Sequence, residues 1–169
     1  MDSRMRRSLF ALAPAAVAIA IAGCGGGNHH NGNGTSAQAD AKAGATPSAS
    51  ATVDARRTKL GRILVDAQGR SLYLFEQDKG TASTCYGACA SLWPPLTVSG
   101  SPKAGAGIVA TKLGTTKRKD GQAEVTYNGH PLYYYAGDQK PGETAGEGLD
   151  QFGAPWDVLS TAGKGIDGD

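Results

Sequence analysis

The stretch from Val65 to Asp78 is written twice in this chain. Displaced by 60 positions, Val65 falls on Val125, Gly69 on Gly129, Leu72 on Leu132, Tyr73 on Tyr133, Phe75 on Tyr135 and Asp78 on Asp138. At a displacement of 63, Trp93-Pro94-Pro95-Leu96 meets Trp156-Asp157-Val158-Leu159, so both tryptophans of the chain occupy matching places. Three extra residues in the second linking loop account for the change. An internal duplication of this kind restricts the fold to two related units. Trp93 and Trp156 are then expected to close one core from opposite halves.

Each copy reads as a hairpin. Arg62 to Val65, the turn Asp66-Ala67-Gln68-Gly69, and Arg70 to Phe75 form the first; Glu124 to Tyr127, Asn128-Gly129, and His130 to Tyr135 form the second. Asn-Gly between two β-rich runs predicts a type I′ turn, because both central residues need positive φ. Side chains alternate across a strand. Leu72 and Leu74 should therefore face one side and Tyr73 and Phe75 the other, with Leu132 and Tyr134 opposed to Tyr133 and Tyr135 in the second copy. No long segment carries apolar residues at helical spacing. The fold class predicted is mainly β, with two tandem, similar, hairpin-based repeats, about 60–98 and about 120–161, packed as one small domain over 58–164.

Both copies fit the pattern Y-x-[FWY]-x-x-D, as Tyr73-Leu74-Phe75-Glu76-Gln77-Asp78 and Tyr133-Tyr134-Tyr135-Ala136-Gly137-Asp138. With "CYGACASLWPPL" and the run from Asp120 to Trp156, the chain resembles a family of bacterial lipoproteins described as secreted repeats of unknown function. The resemblance covers nearly all of residues 60–160. It implies an envelope location and a duplicated domain, and it brings no reaction with it.

The N-terminus reads as an address. Arg4, Arg6 and Arg7 precede an apolar run from Leu9 to Ala22, broken only by Pro14. That length suits a signal peptide and is too short to span a membrane. The run ends in Ile21-Ala22-Gly23-Cys24, which resembles the lipobox of bacterial lipoproteins. The resemblance implies removal of residues 1–23 and a diacylglyceryl thioether on Cys24. Acyl chains anchor at roughly 0.8 kcal/mol per buried CH₂, so a doubly acylated cysteine holds a chain on the membrane. Of the 17 Lys and Arg and 15 Asp and Glu, residues 1–23 hold three Arg and one Asp, leaving 14 of each sign. The basic balance of the whole chain thus belongs to the leader, and a nucleic-acid partner is not expected.

Residues 24–57 are rich in Gly, Asn, Ala, Ser and Thr, with Val53 the only sizeable apolar residue after Cys24. Such a composition buries too little surface to offset its ordering entropy. It reads as a tether spanning on the order of 30 Å. His29-His30 falls far short of a metal site.

Three further features carry possible chemistry. Cys85 and Cys89 form an even pair in an oxidising compartment, which points to a disulfide. Cβ atoms four apart on a helix lie about 5–6 Å from one another, beyond the roughly 4 Å a disulfide prefers, so Tyr86-Gly87-Ala88 should be a loop or distorted turn. The spacing fits neither the redox C-x-x-C nor haem attachment, and only His130 is left in the domain to join the pair on zinc. Lys117-Arg118-Lys119, before the turn signal Asp120-Gly121, reads as a solvated hairpin tip. Residues 141–155 are glycine-rich without the G-K-[ST] of a phosphate loop and read as a long surface loop.

Two functions stay open. The leading one is a non-catalytic envelope binding or interaction module on the extracytoplasmic face of the cell membrane. Its partners would be the membrane, through the lipid, and an unidentified envelope ligand or protein; no cofactor or metal is expected. In it, Tyr73, Phe75, Asp78, Tyr133, Tyr135 and Asp138 are scaffold: buried aromatics, with each aspartate accepting backbone N–H groups in the turn that follows. The alternative is a redox or cofactor-handling lipoprotein using Cys85 and Cys89, with the tyrosine-aspartate cluster lining a ligand site.

Overall fold

The computed structural model describes residues 50–166. Residues 1–23, expected to be a signal peptide, Cys24 and residues 25–49 of the expected tether lie outside the described residues. The chain runs through β1 (Thr52–Thr58), β2 (Gly61–Asp66), β3 (Tyr73–Phe75), α1 (Ala88–Leu92), β4 (Thr97–Val98) and β5 (Lys103–Ala104). It continues through β6 (Leu113–Lys117), β7 (Ala123–Tyr127), β8 (His130–Pro131), β9 (Leu149–Gln151) and β10 (Ala154–Val158). Among the described residues, ten short strands against one five-residue α-helix and one turn of 3-10 helix (Ala110–Lys112) make a mainly β domain of several small sheets. Their orders are β2-β1-β5, β3-β10-β9 and β4-β7-β6, with β8 also on β7.

Each repeat opens with an antiparallel hairpin, β1–β2 in the first and β6–β7 in the second. The domain therefore begins earlier than composition suggests, at β1 and not at 58. Residues 52–57 are strand, and Ala51 and Val53 are buried in the core. A polar, alanine-rich segment becomes strand here because β2 and β5 flank it, supplying ladder partners from Thr52 to Thr58. The second repeat likewise begins at β6 rather than near 120.

The duplication is offset by 61, not 60, ahead of the hairpin turn. Leu72 N–H donates to the Leu64 carbonyl, and Leu132 N–H donates to that of Val125. Leu64, and not Val65, is thus the counterpart of Val125. In the second repeat Tyr127 faces His130 across Asn128 (φ 52°) and Gly129 (φ 87°), the positive-φ pair expected of a type I′ turn. In the first, Asp66 faces Arg70 across three residues, and Asp66 Oδ1 accepts from the N–H groups of Gln68 and Arg70, both at 2.9 Å. The aspartate closes a loop one residue longer, which absorbs the difference.

The repeats exchange strands. Tyr73 and Tyr133 pair with each other through reciprocal backbone hydrogen bonds of 2.9 and 3.0 Å, marking a local two-fold axis. Tyr73 pairs with Val158 of the second repeat, and Tyr133 with Pro95 of the first. Leu159 N–H donates to Leu72, and Leu96 N–H to Leu132. Finally, Ser160 bridges Ile63 as Thr97 pairs with Glu124. The segment after each tryptophan is therefore completed by the other repeat, and neither repeat holds a finished sheet by itself.

The alternation expected of the strands sorts the apolar residues into two cores. Leu72, Leu74 and Leu132 pack with Leu64, Leu96, Val125 and Leu159, and Tyr134 packs against them. Tyr73, Phe75 and Tyr133 pack with Trp93, Trp156 and both cysteines on the opposite side, with Tyr135 against them.

Candidate functional site

The tyrosines and aspartates of the motif meet across the repeats, not within them. Tyr73 Oη donates to Asp138 Oδ2 at 2.7 Å, and Tyr133 Oη donates to Asp78 Oδ2 at 2.6 Å. Each aspartate follows a turn in which its own N–H donates to the carbonyl of Phe75 or Tyr135. The other carboxylate oxygen then orders the next loop. Asp78 Oδ1 accepts from the N–H and hydroxyl of Thr84, both at 2.7 Å, and Asp138 Oδ1 from Ala145 N–H at 2.9 Å. Loop capping of this kind is what the scaffold reading expects; the cross-repeat phenols are an addition. Burial and the facing carboxylates push both phenols well above the ordinary tyrosine range, so they stay protonated donors. Burial also raises the Asp138 carboxyl, against the Tyr73 and Ala145 hydrogen bonds that favour its charge.

Between the two pairs stand four rings in a column, Phe75, Trp156, Trp93 and Tyr135. Centroids are 4.0 Å apart from Phe75 to Trp156, 4.0 Å from Trp156 to Trp93 and 4.4 Å from Trp93 to Tyr135. Tyr73 sits edge-on to Trp93 at 5.3 Å and Tyr133 edge-on to Trp156 at 5.2 Å. The two tyrosines thus take the edge-to-face arrangement that aromatic quadrupoles favour. Both indole N–H groups end on one residue: Trp93 Nε1 donates to Gln151 Oε1 and Trp156 Nε1 to the Gln151 carbonyl, each at 3.0 Å. Gly146 lets the loop cross this column, because a Cβ there would lie 2.6 Å from Trp93 Cη2. The column thus joins the two tryptophans at one core, as the duplication anticipates.

A family model described as a secreted repeat of unknown function matches residues 55–97 and 114–160. The chain belongs to that family. No curated protein and no solved structure matches it. The description indicates an extracytoplasmic location for the domain. The two matched segments begin inside β1 and β6, which agrees with the hairpins that open the secreted repeats.

The two secreted repeats differ in charge where Glu124 stands in the place of Ile63. Lys117-Arg118-Lys119 is not a solvated tip throughout, because Arg118 is 3% exposed and Glu124 0%. Arg118 Nη1 donates to Glu124 Oε2 at 2.7 Å and to Ser83 Oγ at 2.8 Å. Its Nη2 donates to the Cys85 carbonyl at 2.7 Å, and its Nε reaches Asp120 at 3.2 Å. Ser83 Oγ in turn donates to Tyr133 Oη at 2.7 Å, the phenol's own hydrogen going to Asp78, so the network continues to that carboxylate. Burial pushes the Glu124 carboxyl up to about 8, against the pull of Arg118, and its Oε1 has no hydrogen-bond partner. Burial alone would lower Arg118, yet Glu124 and Asp120 hold it above its ordinary value. In sequence, Glu124 beside Val125 and Thr126 looks like the outward residue of an amphipathic strand. Alignment on the first repeat would have exposed it as inward-facing, since it falls on Ile63 with the 61-residue offset and on Leu64 with 60, both buried.

Cys85 and Cys89 are bonded, with Cα atoms 5.3 Å apart. Gly87, at φ 59°, turns the chain between Cys85 and α1, so the bridge spans a distorted turn as the spacing requires. Cys85 is buried, and Cys89 lies on the buried side of α1. Residues 141–155 are a surface loop only in their first half; Leu149–Gln151 and Ala154–Val158 pair as a hairpin. A cleft of about 250 Å³ is lined by Ser101, Pro102, Ala104, Leu113 and Thr115 among others, and no residue of the tyrosine-aspartate motif borders it.

Proposed function

We propose that this chain is a lipid-anchored extracytoplasmic module that binds or interacts at the cell envelope and does not catalyse a reaction. The observation that carries this reading is the pairing of each motif tyrosine with the aspartate of the other repeat. The groups best suited to hold a ligand are engaged with one another, so the motif acts as the fastener between two halves. Cys24, after its short apolar leader, would carry the lipid, and the residues before β1 would space the domain from the membrane. No helix among the described residues is long and apolar enough to cross a membrane.

Two measurements test this together. Cys24→Ala should move the protein out of the membrane fraction or leave an uncleaved precursor; unchanged anchoring and processing would refute the lipid anchor. Native mass and absorption spectra of the protein extracted from its envelope should show the lipidated chain without a chromophore. A bound chromophore would favour the cofactor-handling alternative instead.

A further inference from the structure

We propose that the aromatic column is also a one-electron donor, in which Tyr73 and, behind it, Tyr133 give up an electron and a proton together. The packing role of the column accounts for buried rings. The phenol–carboxylate pairs fasten the two repeats, and the same contacts give each phenol a proton acceptor beside the column.

The geometry supplies a path for the electron and a place for the proton. Tyr135 is the half-buried end of the column, and from it Trp93 and Trp156 follow at 4.4 and 4.0 Å. Phe75 closes the far end with a ring too hard to oxidise. Tyr73 lies beside the first two members, 5.3 Å from Trp93 and 6.4 Å from Tyr135. Rings in or near van der Waals contact exchange electrons readily. A buried phenol that loses an electron must also lose its proton, because a charged phenol radical without solvent is costly. Asp138 Oδ2 accepts from Tyr73 Oη at 2.7 Å, within the reach a proton acceptor needs. Asp138 is partly exposed and can pass the proton on to water. Asp78 offers the same acceptor to Tyr133 at 2.6 Å from a buried position.

The step balances as written. A one-electron, outer-sphere oxidant at the surface beside Tyr135 takes one electron from the column and is reduced. Tyr73 refills the column, its O–H bond breaks, and the proton moves to the Asp138 carboxylate. The products are a neutral Tyr73 phenoxyl radical, a neutral Asp138 carboxyl and the reduced oxidant. This activity does not depend on the lipid anchor or on a bound ligand, so it stands or falls separately from the function proposed above.

The test oxidises the purified full chain with a photogenerated ruthenium(III) polypyridyl complex and follows radicals by transient absorption and electron paramagnetic resonance. The wild type should give a neutral tyrosyl radical. Tyr73→Phe/Tyr133→Phe keeps both rings and should lose that signal, leaving a tryptophan radical in its place. Asp138→Asn should lower the yield at Tyr73, and Tyr135→Phe should slow formation of the radical. Tyr86→Phe, outside the column, should change nothing. A wild-type chain without a tyrosyl radical would overturn the proposal, as would an unchanged yield in the double variant. Because Tyr135→Phe and Asp138→Asn leave the buried rings in place, they decide the matter even if the double variant fails to fold.

Discussion

Above about pH 8, where the Glu124 carboxyl is ionised, replacing Arg118 by methionine should cost the domain about 3–5 kcal/mol, the usual penalty for removing one member of a buried ion pair. The magnitude follows from what the guanidinium touches. Glu124 loses the guanidinium that donates to its Oε2, and the Ser83 hydroxyl and Cys85 carbonyl each lose a donor at 2.7–2.8 Å. Each buried acceptor left unsatisfied costs about 1–3 kcal/mol, more for a charged group. The contact with Asp120 adds little, since that carboxylate is 40% exposed. The first repeat shows the alternative solution, because Ile63 fills the place of Glu124 without a charge. Arg118→Met combined with Glu124→Ile should therefore recover most of the loss, as apolar replacements of buried pairs do. The Cys85 carbonyl would remain unpaired, which leaves the double variant about 1–3 kcal/mol short of wild type at most. Urea unfolding of the wild type, the single and the double variant measures all three values. A single variant within about 1 kcal/mol of wild type would refute the reasoning. So would a double variant no better than the single, since the pair would then not be what the arginine serves.

The same site sets a pH dependence. The folded Glu124 carboxyl is raised from 4.5 to about 8 by burial, so its contribution is full below about 4.5 and lost as pH rises to about 8. Stability should fall across that window, by at most about 1.4 kcal/mol per pH unit, and Glu124→Gln should flatten the slope. Within the motif, Tyr133→Ala should cost about 3–5 kcal/mol, whereas Tyr135→Phe should be mild because Phe75 holds the matching place. Asp138→Ala should cost about 1 kcal/mol and Asp78→Ala more, since Asp78 is buried and accepts three hydrogen bonds; thermal unfolding ranks all four. Alkylation before reduction should label neither Cys85 nor Cys89, and opening so small a loop should cost about 2 kcal/mol in an unfolding titration.

Much of the architecture is determined by the sequence alone, because it depends on near neighbours. Asn128-Gly129 dictates its turn through positive φ, and strand alternation separates the leucines from the tyrosines wherever the strands end. The duplication, with its two tryptophans, announces a shared core. Gly87 between the cysteines permits the turn their bond needs. Other features required the tertiary structure. Residues 52–57 have a tether's composition, and become strand because β2, across a tight turn, and β5, from the remote Lys103–Ala104, both offer hydrogen bonds. Arg118 stands between two lysines at a turn, where local rules expect solvent; the loop at Ser83 and Cys85, 33 to 35 residues away, covers it. The exchange that pairs Tyr73 with Asp138 and Tyr133 with Asp78 is likewise invisible in either copy. Each copy carries a tyrosine and an aspartate at the same spacing, and only the packing of one repeat on the other decides which of the two aspartates each phenol meets.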